Sequence, residues 1–298
     1  MFHAALKTGS LIALLLMLPA GCRRASPHAA VPTGPRIVST VPAATQILLQ
    51  IGAGTALVGV SSFDKPLLPS AYRKLPAVGD YLNLDDELLL NLHPTILIIQ
   101  KSPLRLAGLP ALAAGNHIRL VNVSFNTIAS LEKITLLLGK LANRQAAAEQ
   151  AVTNLRLRLR TYARLRPARP YRPRVLFLVG IRPLRAVGRG NFMDSIIRLA
   201  GGINVGAKLG SGFPVLTHES MLELNPQIIL LARPGAPPAT GPKDPRIQAF
   251  AAAADFGEPA PRVMLITNPL CEMPTLRIAG EIKRLRRLFG RTAIRGVK

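Results

Sequence analysis

One short pattern occurs twice in this chain, at residues 87–99 and again at residues 219–231. Each copy begins with a glutamate, continues with leucines at helical spacing and reaches an X-Pro pair. Because the residue before a proline avoids the α-helical region, the helices should end at His93 and Asn225. The apolar run that follows each proline is typical of a buried parallel strand. Helix, proline break and buried strand together predict one piece of an α/β sheet, built twice.

The helix in each copy has several candidate capping residues. Asn83, Asp85 or Asp86 can cap the first helix, and Thr217 or His218 can cap the second. The inward face of the second helix is predicted to comprise Met221, Leu222 and Leu224.

The duplication extends into the sequence before each copy. Apolar strands are predicted at residues 36–40 and 174–180, and helices closed by glycine at 47–52 and 196–202. The predicted fold class is therefore α/β, with two similar three-layer α/β lobes joined by a long helix and a ligand cleft between the lobes. The alternative is chance, since leucine-rich helices before an X-Pro pair are common.

The longest helical pattern lies between the two copies, at residues 130–166. Ser130 is predicted to start it, and Asn143 marks either a break or the N-cap of a second helix. The part from Asn143 to Leu165 would be about 33 Å long at 1.5 Å per residue, enough to cross both lobes as a strut. A helical strut is stiff, so the lobes should rock only slightly around a ligand.

The first 35 residues have the pattern of an exported protein. Residues 1–21 combine Lys7, a short apolar run and small residues before Cys22, which indicates a signal peptide. A cysteine directly after the cleavage site resembles the lipobox of bacterial lipoproteins, although Pro19 departs from that pattern. The alternative is an ordinary signal peptide with an incidental cysteine. Residues 22–35 are interpreted as a lipidated tether that anchors the chain to a membrane.

The rest of the chain divides into an N-terminal lobe (36–129), linking helices (130–168) and a C-terminal lobe (169–298). The chain has two cysteines, Cys22 and Cys271, so lipidation of Cys22 would leave no disulfide framework.

The formal net charge of +23 attracts anionic partners. Nucleic acid is disfavoured because an exported protein rarely meets it and because aromatic residues are sparse, with no tryptophan. Arginines cluster at residues 155–174, either as a solvated helix face or as a site for anionic lipid. This cluster supports an alternative function, in which the chain is a basic envelope protein that binds anionic lipid or polymer.

Five of the fifteen acidic residues lie between positions 64 and 87. An acidic patch on a basic protein favours docking to a basic partner. The alternative is that some of these residues only cap a helix. The five are Asp64, Asp80, Asp85, Asp86 and Glu87.

Several motifs in their order and spacing resemble the helical-backbone class of periplasmic substrate-binding proteins, which serve ATP-driven importers of cobalamin, haem and ferric siderophores. The resemblance covers roughly residues 36–289. In the first lobe it rests on RIVSTVPAATQIL (36–48), LVGVS (57–61), LPAVGDY (75–81) and the first repeat; in the second lobe on GGINV (201–205), FP (213–214), the second repeat and PTLRI (274–278).

This resemblance implies a role for the glutamate that begins each repeat. In that family one acidic residue near the top of each lobe docks into a basic pocket of the membrane permease, and Glu87 and Glu219 match those positions. Paired charges of this kind fix orientation and speed encounter. The alternative is that each glutamate only stabilises its helix dipole.

The resemblance also places a ligand between the lobes, often against aromatic rings. Tyr81 and Phe213 each precede their glutamate by six residues, and Phe63 matches another cleft position. Arg182 and Arg185 lie after the first strand of the second lobe, where they could contact a carboxylate or phosphate of the ligand. Core or surface roles are the alternatives for these aromatic residues and arginines.

The implied function is capture of a metal-chelate ligand and its delivery to ABC permease subunits. A corrinoid is favoured, with a ferric siderophore or haem next, although cobalamin-binding members carry tryptophans where Tyr81 and Phe213 stand. We expect a monomer in the periplasm or cell envelope, without cofactor or bound metal, because His93, His117 and His218 lack ligand spacing. No catalytic motif supplies a nucleophile or base, so an enzyme is not expected.

Overall fold

The structure, a computed structural model, describes residues 34–80, 83–100, 108–165, 172–181, 183–256, 259–268 and 273–295. Residues 1–33, with the predicted signal peptide, most of the tether and Cys22, lie outside these ranges. Within the described ranges, none of the helices combines the length and apolar character that crossing a bilayer requires.

The first lobe is built on a four-stranded parallel sheet with the strand order β2-β1-β3-β4. Its central strands are short apolar runs that are almost fully buried, as expected for a parallel sheet covered on both faces. The strands are β1 Ile37–Ser39, β2 Leu57–Val60, β3 Ile96–Ile99 and β4 Arg119–Asn122, and the helices are α1 Pro42–Gln50, α2 Asp86–Asn91 and α3 Leu109–Gly115.

The second lobe has a sheet of the order β6-β5-β8-β9, with a fifth strand, β7, also paired to β5. All its pairs are parallel except the hairpin of β5 and β6. The strands are β5 Arg174–Ile181, β6 Leu184–Ala186, β7 Ile203–Asn204, β8 Ile228–Ala232 and β9 Arg262–Ile266. The helices that accompany them are, in the numbering used below, α6 Phe192–Leu199, α7 His218–Leu224, α8 Pro245–Ala254 and α9 Ile278–Arg295.

The repeated stretch folds as predicted in both copies, as α2 leading to β3 and α7 leading to β8. Of the candidate caps, Asp85 and Thr217 accept the hydrogen bonds of the first turns. His93 and Asn225, the residues before the prolines, both have a left-handed backbone with φ of 44° and 42°. This conformation still avoids the α-helical region and is one in which helices commonly end.

An arginine at the start of each lobe repeats the same contact. The Nε of Arg36 donates to the carbonyl of His93 at 2.9 Å, and the Nε of Arg174 donates to the carbonyl of Asn225 at 2.6 Å. Each arginine thus satisfies a carbonyl just past the end of a helix, where a cation is also favoured by the helix dipole. The shared contact is structural evidence for the duplication.

The inward face of α7 is narrower than predicted. Met221 and Leu224 are buried, but Leu222 is 44% exposed, so its assignment to the core was wrong. Residues three apart share a face of a helix, whereas adjacent residues are rotated away from each other, and this short helix contacts its sheet along one face only.

Two helices link the lobes, α4 Ile128–Leu141 and α5 Gln145–Arg164. Thr127 is the N-cap of α4, and Ser130 completes a capping box with it, so the predicted start at Ser130 was late by one turn. Asn143 marks the predicted break with a positive φ of 55°. Among the described residues, one hydrophobic cluster is continuous across both lobes and these helices, and each lobe has a smaller cluster of its own. A parallel sheet and a mainly parallel sheet, each accompanied by helices and joined through the long α5, confirm the predicted fold class. The exact domain boundaries stay a prediction.

Candidate functional site

Glu87 lies at the carboxyl-end edge of the first sheet. The N–H of Val78 donates to Val60, the last residue of β2, and the N–H of Asp85 donates to Val78, both at 2.9 Å. These bonds bring the first turn of α2, which contains Glu87, to the carboxyl end of β2. The Glu87 side chain is exposed.

Glu219 has the corresponding place in the second lobe. The N–H of Leu216 donates to the carbonyl of Leu184 at 2.8 Å, and Leu184 pairs with Ile181 at the carboxyl end of β5. Thr217 then caps α7, and Glu219 is exposed in its first turn. The two glutamates therefore occupy matching edges of the two lobes, where ligands bind in open α/β sheets.

A largely apolar cavity of about 430 Å³ opens at this edge of the second lobe. Two predicted residues meet there: Phe213, which is 45% exposed, and Arg185, whose Nη1 donates to the carbonyl of Phe213 at 3.1 Å. The hydrogen bond fixes the arginine beside the ring. The other walls of the cavity are Phe177, Val179, Val187, Asn191, Phe192 and Met193.

The loop that carries Phe213 is held against β6 and the residues after it. The N–H of Ala186 donates to Pro214 at 2.9 Å, and the N–H of Gly188 donates to Gly212 at 2.9 Å. Gly212 has a φ of 70°, a left-handed conformation that glycine adopts without a steric penalty. The placement of the aromatic ring is therefore a consequence of this backbone pairing.

Phe63 lies on the first lobe, in a 3-10 helix at Ser62–Leu67 that directly follows β2, and is 48% exposed. The next residue, Asp64, is fully buried and anchors this segment. Its Oδ2 accepts from the N–H of Ser61 at 3.0 Å, the Oγ of Ser61 at 2.9 Å and the Oγ1 of Thr45 at 3.2 Å.

Burial raises the pKa of Asp64 from 3.8 to about 6, against the opposing effect of the hydrogen bonds from Ser61 and Thr45. The Oδ1 of this carboxyl has no hydrogen-bond partner. Asp64 therefore cannot belong to an exposed acidic docking patch, and its inclusion among the five acids of that prediction was wrong. The S-x-x-D spacing of a capping box was the available sequence signal for its real role.

A second, more polar cavity of about 520 Å³ shares Phe192 with the first. Its walls include Arg158 from α5 and the pair Asn268 and Glu281, whose side chains are joined by a hydrogen bond of 3.1 Å. Sequence reasoning missed this cavity and both Phe192 and Arg158 as its walls. Phe192 sits where the lobes meet, since its N–H donates to the carbonyl of Asn126 at 2.8 Å.

The remaining predicted ligand contacts, Tyr81 and Arg182, lie outside the described residues. In the arginine cluster at 155–174, Arg156 forms a salt bridge with Glu132 at 2.9 Å, which ties α5 to α4. Hydrogen bonding to Glu132 raises the pKa of Arg156. Among the described side chains, no group of three or more His, Cys, Asp or Glu residues is arranged to hold a metal ion.

Comparisons with known proteins agree with this architecture. A family model described as a periplasmic binding protein matches residues 37–254. A vitamin B12-binding protein of Salmonella paratyphi A is 28% identical over 233 residues, which cover 75% of this chain and 78% of the relative.

Two solved structures resemble the fold. The periplasmic heme-binding protein RhuT from Roseiflexus sp. RS-1 superposes with a TM-score of 0.70 and 23% identity, covering 87% of this chain and 99% of the other. The periplasmic vitamin B12 binding protein BtuF of Vibrio cholerae gives a TM-score of 0.65 and 22% identity, covering 87% and 98%. At these identities the structural likeness establishes the fold alone.

Proposed function

Because the chain belongs to the periplasmic binding protein family, we propose that it is the substrate-binding protein of an ABC importer for a metal chelate. It would capture the chelate between its lobes and deliver it to the membrane permease. A corrinoid is the first candidate, supported by the vitamin B12-binding relative, and a ferric siderophore or haem is next. The observation that carries this proposal is the aromatic-walled cavity at the carboxyl-end edge of the second lobe.

The walls of that cavity suit a flat, largely apolar ligand with a polar rim. Phe213 offers an exposed ring, and the almost fully buried Phe177 and Phe192 line the cavity beneath it. Sites of this kind are mostly apolar with a few polar groups that fix orientation. Arg185 supplies a cation at the mouth for a carboxylate or phosphate. Phe63 would contact the ligand from the other lobe, since it is exposed at the matching edge.

Tyr81 and Arg182 are proposed as further ligand contacts from their sequence positions alone. Lipidation of Cys22, membrane anchoring and the monomeric state are likewise proposed from the sequence. Location in the periplasm is supported by membership of the periplasmic binding protein family. The family and its structural neighbours are binding proteins, which supports a role without catalysis.

Glu87 and Glu219 are proposed as the contacts with the permease. Both are exposed, and each occupies the first turn of the helix that begins its repeat. Two carboxylates at equivalent places on two lobes would meet basic pockets on two permease subunits and so fix the docking orientation.

Charge reversal separates docking from ligand capture. The double variant Glu87→Arg with Glu219→Arg should abolish uptake in cells while the purified protein keeps its ligand affinity. The control, Glu149→Arg, makes the same charge change at an exposed position of α5 outside both repeats and should leave uptake intact. Normal uptake by the first variant, or equal loss in both, would contradict the docking assignment.

A further inference from the structure

A cavity of about 510 Å³ lies on the second lobe away from the site described above. One wall is Arg172, which comes two residues before β5, and another is Gly201, which follows the end of α6. The cavity is therefore near the amino end of β5, whereas the candidate ligand site lies at the carboxyl end. The two sites use opposite edges of one sheet.

Three arginines from different elements converge on this cavity: Arg172, Arg198 on α6 and Arg286 on α9. The hydroxyl-bearing residues Ser195 and Tyr162 also line it. No acidic side chain of the described ranges lines the cavity. Beside its apolar lining, the cavity presents three cations and two hydroxyl groups, all of which can donate hydrogen bonds to an oxyanion.

Two of these guanidinium groups are held in place by backbone carbonyls. The Nη2 of Arg172 donates to Gly202 at 3.2 Å, and the Nη1 of Arg286 donates to Leu199 at 3.3 Å. These bonds cap the end of α6, which is a structural role. Each guanidinium has five N–H donors, so the contacts orient the groups and leave other donors for a ligand.

The side chain of the third arginine, Arg198, is 61% exposed, and its Nε lies 3.6 Å from the Oδ2 of Asp194. Asp194 is buried, and its Oδ1 accepts from the Nδ2 of Asn204 at 3.1 Å. The carboxylate therefore belongs to the interior of the lobe and contacts Arg198 at one edge only. Capping of α6 explains neither Arg198 nor the two hydroxyl-bearing residues in the same cavity wall.

The sequence around the cavity offers few counter-charges. Between Gln150 and Met193 the chain has eleven arginines and no acidic residue. Four residues that line the cavity lie in this acid-free run, namely Tyr162, Ala163, Leu165 and Arg172. That run therefore supplies no carboxylate for Arg172, and Asp194 contacts Arg198 at one edge only, so these cations keep donors for an external anion.

We propose that this cavity is a second binding site, for a phosphate-bearing anion, held by Arg172, Arg198 and Arg286 with Ser195 and Tyr162 as neutral donors. The planar guanidinium fork matches phosphate oxygens in pairs, and the volume exceeds that of a lone phosphate, which leaves room for a substituent such as a second phosphate or a glycerol. The source is either a free phosphate compound or a phospholipid head group. The site does not depend on the proposed import function.

The test uses pyrophosphate as a free probe and vesicles of phosphatidylglycerol, with phosphatidylcholine vesicles as the blank. Pyrophosphate should saturate one site in calorimetry, or the anionic vesicles should retain the protein. Arg198→Gln should weaken the binding about ten-fold, and Ser195→Ala by a smaller factor, because a charge-assisted hydrogen bond contributes more than a neutral one. Arg198 is exposed, so this variant should fold normally.

Arg160→Gln is the matched control, since it removes the same charge from an exposed position of α5 outside the cavity. It should leave binding within about two-fold of the wild type. Saturation by pyrophosphate identifies a free phosphate compound as the source, and retention by anionic vesicles alone identifies a head group. Equal weakening by both arginine variants, or binding to neither probe, would overturn the proposal.

Discussion

Asp64 is a buried residue whose ionisation should lower the stability of the fold. It lies beside Phe63, and its carboxyl is fully buried with a pKa raised from 3.8 to about 6. Because the folded-state pKa is raised, the contribution of this group to stability is full below about pH 4 and is lost as the pH rises through about 6. Asp64→Asn removes the ionisation and should remove this loss.

The magnitude follows from the size of the shift. The difference between 3.8 and about 6 corresponds to about 3 kcal/mol in total, at about 1.4 kcal/mol per pKa unit. Between about pH 4.5 and about pH 7.5, integration of the two titration curves gives a loss of about 2 kcal/mol in the free energy of unfolding. This loss is specific to Asp64 and should be absent from the variant.

Urea unfolding of the wild type and of Asp64→Asn, at about pH 4.5 and about pH 7.5, measures this loss of free energy of unfolding. The wild-type free energy of unfolding should fall by about 2 kcal/mol more than that of Asp64→Asn as the pH is raised. Asp86→Asn, at an exposed position, is the control and should follow the wild type. The same pH dependence in Asp64→Asn and wild type would refute the reasoning.

Three further variants probe the cleft, the strut and the repeat. Phe213→Ala should weaken ligand binding about ten- to a hundred-fold in an absorbance titration, while Val215→Ala, an equally exposed position on the same loop, should bind almost normally. Gly139→Ala should lower the melting temperature, at a cost of about 1–3 kcal/mol, because an added Cβ would overlap the Cβ of Ala148 where α4 packs on α5. Arg174→Met should cost about 1–2 kcal/mol in chemical unfolding through loss of its bond to the carbonyl that closes α7; no measurable cost would contradict the capping role.

The parts of the fold that were predictable from sequence have local causes. The helix, break and strand of each repeat depend on apolar spacing and on a proline, and both signals lie within a dozen residues. Asn143 was recognisable as a break because it tolerates the left-handed backbone that ends a helix. Apolar spacing, proline and asparagine therefore predicted these helices, breaks and strands correctly, because each signal acts within its own segment.

The parts that were missed depend on contacts between distant segments. An aspartate is usually exposed, so the sequence alone suggested that Asp64 lies on the surface. It is buried because α1 packs against it, with Thr45 of that helix donating a hydrogen bond to its carboxylate. Phe192 forms a wall of two cavities because α6 begins at the junction with the first lobe. Periodicity along a single segment contains no information about such neighbours.

The most direct test of the import proposal is an equilibrium titration of the purified protein by calorimetry with cyanocobalamin, haemin and a set of ferric siderophores. The proposal predicts that one of these chelates saturates the protein with one ligand per chain and that Phe213→Ala weakens that binding. Absence of saturable binding to every chelate in the panel, or binding indifferent to Phe213, would contradict it.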